Sequence, residues 1–193
     1  MLGRLLVARH LVSEARGLAL KALSAGFRGF ETLFVQPDQL AVQRVGPRGT
    51  VVAADLQHVE PVEGAAVLRL DVTAPESLAV LREHLGPGSG GRCQLLLSDM
   101  APATSGQRSL DHHRSMVLAS TALRLSRSLL APGGAAVVKL FQGGEEAKLV
   151  QWARAHFGAV RLAKPDASRK ESKEVFLVAR GFGKLKPPAQ AAA

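Results

Sequence analysis

The sequence predicts an α/β fold: a doubly wound, parallel-paired sheet with helices on both faces. Three observations predict it. Runs of apolar and β-branched residues alternate with runs of helical periodicity. Three of the strand-like runs stop at an acid, Asp55, Asp71 or Asp99, and open α/β sheets place their ligands beyond such carboxyl ends. The chain has 193 residues, 47% of them hydrophobic, which suits a globular domain with a sizeable core and a short appendage.

The elements follow in order. The first thirty residues carry Arg4, Arg9, Arg16, Lys21 and Arg28 against one acid, Glu14. Leu2, Leu5, Leu6, Arg9 and Val12 follow helical spacing, so a helix is expected there. An Arg-rich, acid-poor, amphipathic start reads either as a mitochondrial transit segment or as a surface helix of the domain. "TVVAADL" is a strand ending at Asp55, and "AAVLRLDV" a second ending near Asp71. "PESLAVLREHLG" is a helix stopped at Gly86, and "CQLLLSDM" a third strand. "DHHRSMVLASTALRLSRSLLAPGG" is a long helix closed by Pro132 and the Gly133–Gly134 pair. "AAVVKLF" is a fourth strand, "EEAKLVQWARAHFG" a helix, and "AVRLAKP" and "KEVFLVARGF" two closing strands. "GKLKPPAQAAA" is a basic tail expected to fray.

Composition narrows the function classes. A formal net charge of +9 favours an anionic partner, nucleic acid foremost, with an anionic membrane surface as the other reading. Aromatics are 4% with no Tyr, which argues against base stacking on aromatic platforms. The single cysteine, Cys93, rules out an intrachain disulfide and a cysteine-built zinc cage, and reads as a buried small hydrophobe. No stretch reaches the about 18 apolar residues that a membrane span requires. "DHHRS" is an apparent metal lure, but adjacent histidines on a helix point apart and no partner ligands stand at workable spacing. No metal is expected, and Asp111 reads as an N-cap or first-turn acid.

Among the strand-end acids, Asp55 is a candidate for a ribose diol, since a carboxylate accepts both hydroxyls. Asp71 is placed to reach a base edge. Turn-forming and capping roles are the alternatives for each. Lys139 is the only charge inside "AAVVKLF". A lysine there is either functional and paired or a strand-end side chain that snorkels to solvent. Glu174 stands at the mouth of another apolar strand. "KPDASRKESKE" sets Lys164, Arg169, Lys170 and Lys173 beside it, candidates for gripping phosphates.

"LLLSDMAPATSG", "LAPGGAAVVKLFQG" and "KPDASRKESKEVFLVARGF" closely resemble the FtsJ-type ribosomal RNA 2′-O-methyltransferases, with the mitochondrial members looking nearest. The resemblance runs from about Ala41 to Phe182. It implies a Rossmann-like sheet, S-adenosylmethionine as methyl donor, and a ribose 2′-hydroxyl, that of a uridine in large-subunit ribosomal RNA, as acceptor. Of the family's Lys–Asp–Lys–Glu set, the Asp matches Asp99, the second Lys matches Lys139 and the Glu matches Glu174. The cofactor-contacting acids match Asp55, Asp71 and Asp99. Lys139 is then the base or the oxyanion stabiliser. The expected organisation is a basic segment at 1–35, the methyltransferase domain at 36–183 and a tail at 184–193. The expected partner is ribosomal RNA or the large ribosomal subunit, bound by a monomer, in the mitochondrion or a bacterial-type cytoplasm.

One part of the family pattern has no counterpart. The Gly-rich turn "D-x-G-x-x-P-G-x-W" is not found in "FETLFVQPDQLAVQRVG", which has no glycine between Phe30 and Gly46. The surroundings of Lys21, "LALKALSAG", do not match those of the family's first catalytic Lys, so that role is not carried over. Impaired donor binding is expected. A ribosome-assembly factor that binds ribosomal RNA without transferring methyl groups is the alternative function.

Overall fold

The computed structural model describes residues 5–9, 37–164 and 173–183. Seven strands form one sheet: β1 (Leu5–Arg9), β2 (Thr50–Asp55), β3 (Ala65–Arg69), β4 (Cys93–Ser98), β5 (Leu130–Phe141), β6 (Phe157–Ala163) and β7 (Glu174–Phe182). Their order is β3-β2-β1-β4-β5-β7-β6. The helices are α1 (Pro37–Val45), α2 (Ser77–Leu85), α3 (Arg108–Leu129) and α4 (Glu146–Arg154), with one 3-10 turn at Pro87–Ser89.

Period-two alternation divides the apolar residues between the faces. Val52, Ala54, Leu96, Val138, Leu140 and Leu177 point to one face, where Leu81 and Leu85 of α2, Leu118, Ala122 and Leu129 of α3, and Ala153 of α4 cover them. Val51, Ala53, Leu95, Val137, Phe176 and Val178 point to the other, where α1 packs through Val45. Helices therefore lie on both faces, three against one among the described residues. Cys93 lies within the larger core, and burial pushes its thiol up to about 12.

Strand direction is mixed. β2 pairs parallel with β3, and β4 parallel with β5. β7 runs antiparallel to both β5 and β6. β5 and β6 are therefore parallel to each other and are joined through α4, whereas the consecutive antiparallel strands β6 and β7 need no crossover helix. The expectation of a helix at the start of the chain is corrected. Leu5–Arg9 is a strand, inserted antiparallel between β2 and β4. An apolar run this short satisfies either period, and two flanking ladders decide it. α1 had no sequence expectation: Pro37 opens it, as proline does readily, and Gly46, at φ 69°, closes it by donating to Val42 O at 3.0 Å. The long helix ends at Leu129, earlier than Pro132, and Leu130 already begins β5. A register shift between Cys93 and Leu95 absorbs the Pro–Gly–Gly stretch.

Candidate active site

The site is built by register. Ser98, the last residue of β4, pairs with Val138, so Asp99 falls level with Lys139 on β5. Across the antiparallel ladder Lys139 opposes Phe176, and Glu174 opposes Phe141. Lys139 and Glu174 are thus diagonal neighbours on one face, within reach of long side chains. The ammonium of Lys139 lies 2.8 Å from Asp99 Oδ1 and 3.6 Å from Glu174 Oε1. Its side chain is 11% exposed, whereas the two carboxylates are 43% and 42% exposed. A nearly buried cation therefore stands below a rim of two acids, the charge-assisted pairing that burial of a lysine demands. The snorkelling alternative for Lys139 is set aside on this geometry.

α3 anchors the end of that strand. Ser115, buried, accepts a hydrogen bond from the Phe141 N–H at 3.0 Å. His112 Nδ1 donates to the Phe141 carbonyl at 2.9 Å. The other ring nitrogen, Nε2, is buried without a hydrogen-bond partner among the described residues and lies 3.8 Å from Glu145 Oε2. Gly143 makes room for the ring: a Cβ there would overlap His112. The loop after β5 is closed by Glu146, whose oxygens accept from the Gly143 and Gly144 N–H groups at 3.0 and 2.7 Å. Desolvation pushes that carboxyl up, but its backbone hydrogen bonds outweigh it, and the net shift is below the usual carboxylate range.

Asp111 sits in the first turn of α3 and ties down the preceding loop, accepting from Ser105 N–H and Oγ–H at 2.8 Å each. Those bonds hold its carboxyl below the ordinary value. The N-cap is Gln107, so of the two roles expected for Asp111 the first-turn one applies. Thr104, Arg108, Asp111, His112, Phe141, Gln142, Lys173 and Glu174 line a cavity of about 290 Å³, which Glu174 joins to the lysine. Among the described residues no group of three His, Cys, Asp or Glu could hold a metal ion, and no helix is long and apolar enough to cross a membrane.

Asp55 closes β2 and is 9% exposed, its Oδ1 accepting from the Gln57 N–H at 2.9 Å. Asp71 follows β3 and accepts from Thr73 Oγ1–H at 2.6 Å and Thr73 N–H at 2.9 Å. The side-chain bond from Thr73, with the backbone one behind it, holds Asp71 below its ordinary value. The three acids lie on the carboxyl edges of β2, β3 and β4, which suits the ribose and base of a nucleoside. Of the phosphate candidates, Lys173 lines the cavity and Lys164 follows the last residue of β6. Arg169 and Lys170 lie outside the described residues.

The sequence reading missed Ser115, His112 and Glu146. The signal for the first two was the spacing of three within "DHHRS", which puts both on one side of a helix.

A seven-stranded α/β sheet with acids along its carboxyl edge points to the class of Rossmann-like, S-adenosylmethionine-dependent methyltransferases. The model of the FtsJ-like methyltransferases matches residues 38–182, and the chain belongs to that family. It is 47% identical to "Ribosomal RNA large subunit methyltransferase E" of Syntrophobacter fumaroxidans, over 72% of this chain and 70% of that protein. It is 42% identical to the protein of the same name in Granulibacter bethesdensis (75% of this chain, 60% of that one) and 44% identical to that of Caulobacter vibrioides (75% and 61%). The chain thus spans about six-tenths of the length of most of these curated relatives. They are bacterial, so they lend no support to the mitochondrial address suggested by the basic start. A solved ribosomal RNA methyltransferase of Plasmodium falciparum shares the fold, with a TM-score of 0.59 at 20% identity over 68% of this chain and 71% of that one.

Proposed function

We propose that this chain is the catalytic domain of an enzyme that methylates a ribose 2′-hydroxyl, that of a uridine in large-subunit ribosomal RNA, with S-adenosylmethionine as donor. The observation that carries this reading is the nearly buried Lys139 ammonium held between Asp99 and Glu174, the second of which also lines the cavity. The names of the relatives support the choice of RNA.

The donor supplies an electrophilic methyl on a sulfonium; the chain's residues act on the acceptor. A ribose hydroxyl is a weak nucleophile until charge develops on its oxygen. Lys139 donates a hydrogen bond to that oxygen and stabilises its developing charge while the new C–O bond forms and the C–S bond of the sulfonium breaks to leave the thioether. The hydroxyl proton passes to solvent at the half-exposed rim of Asp99 and Glu174. Asp99 and Glu174 hold the ammonium and, being half exposed, reach the ribose as well. Ser115 and His112 fix the strand end that carries Lys139. Lys173 and Arg108 face the cavity with positive charge for the flanking phosphates. Lys164, Arg169 and Lys170 extend that grip, and Asp55, Asp71 and Asp99 meet the donor. The enzyme acts as a monomer.

The test is methyl transfer from labelled S-adenosylmethionine to unmethylated large-subunit ribosomal RNA or subunits, with the site mapped by resistance of the 2′-O-methylated bond to alkali. Incorporation at one uridine ribose, lost in Lys139→Ala, is expected. Full activity of Lys139→Ala would remove the assigned role. Supplying mitochondrial or bacterial large subunits decides the finer address.

A further inference from the structure

In sheets of this order, ligands bind where the strand order reverses, here between β1 and β4, beyond the carboxyl ends. The turn that leaves the first strand normally faces that crevice and brings backbone N–H groups to the ligand. β1 runs in the opposite direction, antiparallel to β2 and β4. Leu5 stands level with Ala54 and Ser98, at the carboxyl ends of its neighbours. Arg9 stands level with Thr50, at the amino end of β2. Arg9, the last described residue of this segment, therefore stands at the edge opposite Asp55 and Asp99.

Two further observations concern the same crevice. Ser98 Oγ, on the residue paired with Leu5, is 3% exposed and has no hydrogen-bond partner among the described residues. A buried hydroxyl left unsatisfied is costly and uncommon. Asp55 and Asp71 each already accept N–H groups of their own turns. The acceptor side contrasts with this, because its lysine, both carboxylates and the strand anchors are in place.

We propose that the two halves of the site are uncoupled in this chain: it holds its RNA acceptor without help from the donor, and it binds S-adenosylmethionine only weakly, through its acids. The cause is the reversed strand at the switch point. The inference rests on the methyltransferase reading, and its failure is separable from that of the reading.

The first test is strand direction. Leu5→Cys with Ala54→Cys puts two thiols on a paired position, and they are expected to form a disulfide on mild oxidation; Arg9→Cys with Ala54→Cys is expected to form none. The reverse pattern would overturn the proposal at its root. The second test is calorimetry of the full chain with S-adenosylmethionine and with S-adenosylhomocysteine. Dissociation constants of about 1 mM or weaker are expected, near 4 kcal/mol of binding free energy. Fluorescence anisotropy with a large-subunit ribosomal RNA fragment is expected to give the same RNA affinity with and without donor. A micromolar donor constant, or RNA affinity that rises tenfold with donor, would overturn the proposal. Absence of RNA binding under every condition would instead overturn the methyltransferase reading and leave the donor result standing on its own.

Discussion

The carboxyl edge of the sheet has two halves of unequal quality. On the β4–β5–β7 side the charges are paired and the strand end is held. Lys139 has two carboxylates, and α3 anchors the Phe141 backbone through both its N–H and its carbonyl. On the β1–β2–β3 side the acids stand on the right strand ends, but the strand between Asp55 and Asp99 is reversed and a buried serine hydroxyl has no partner among the described residues. The family likeness over 38–182 takes in β2 to β7 but not β1, the reversed strand itself. The likeness therefore carries the strand-end acids of both halves, and the direction of β1 is what sets the halves apart.

Substitutions in each half break or sharpen this contrast. The largest effect is expected from Lys139→Ala, which should cut methyl transfer by about 10²–10⁴-fold, the range of a positioned acid–base or charge-stabilising group. The measurement is single-turnover methyl incorporation, with circular dichroism as the check on folding. Leu140→Ala comes next. Leu140 is fully buried beside Lys139, and truncation should lower stability by about 2–5 kcal/mol in urea unfolding. Val52→Ala, on β2 in the other half, removes less side chain, and the loss should be smaller. Both side chains belong to the same core, so a Val52→Ala loss equal to that of Leu140→Ala would mean that the larger cavity at Leu140 collapses.

Gly143→Ala follows. The added methyl meets the His112 ring, so the loop after β5 must shift, at about 1–3 kcal/mol. Methyl transfer should fall with it, while donor binding measured by calorimetry stays the same. The smallest effect is that of Asp71→Asn. The carboxyl of Asp71 is held low by Thr73, so its contribution to stability is complete above the unfolded value and disappears as pH falls through the lowered folded value. The variant should melt slightly below the parent at neutral pH, and the gap should close in acid. A gap that widened in acid would contradict the Thr73 bonds.

Much of the better half was legible in the sequence. Asp99, Lys139 and Glu174 stand at strand ends or alone within apolar runs, and period two puts them on one face once the strands are aligned. The alternation that separates Val51 from Val52 and Val137 from Val138 could be read directly. What could not be read depends on distant backbone. Ser115 and His112 bond to a residue 26 and 29 positions away, so no local pattern announces them. β1 was misread because five residues fit a helical spacing as readily as a strand, and the vacant position between β2 and β4, which decides the matter, is a property of the assembled sheet. The parallel direction expected throughout failed at the same strand and at β7.

The reversed strand also has a kinetic meaning. β2–β3 and β4–β5 are each joined by one connection of modest length, and β5, β7 and β6 by contiguous chain, so each group can pair early from nearby segments. Leu5–Arg9 is what joins the groups within the sheet, and its partners lie far along the chain. Loop closure over such separations is slow. β1 is thus the seam of the molecule, the last ladder to close and the first to open, and hydrogen exchange should find the amides of Val51–Ala54 facing it far less protected than those of Val137–Lys139.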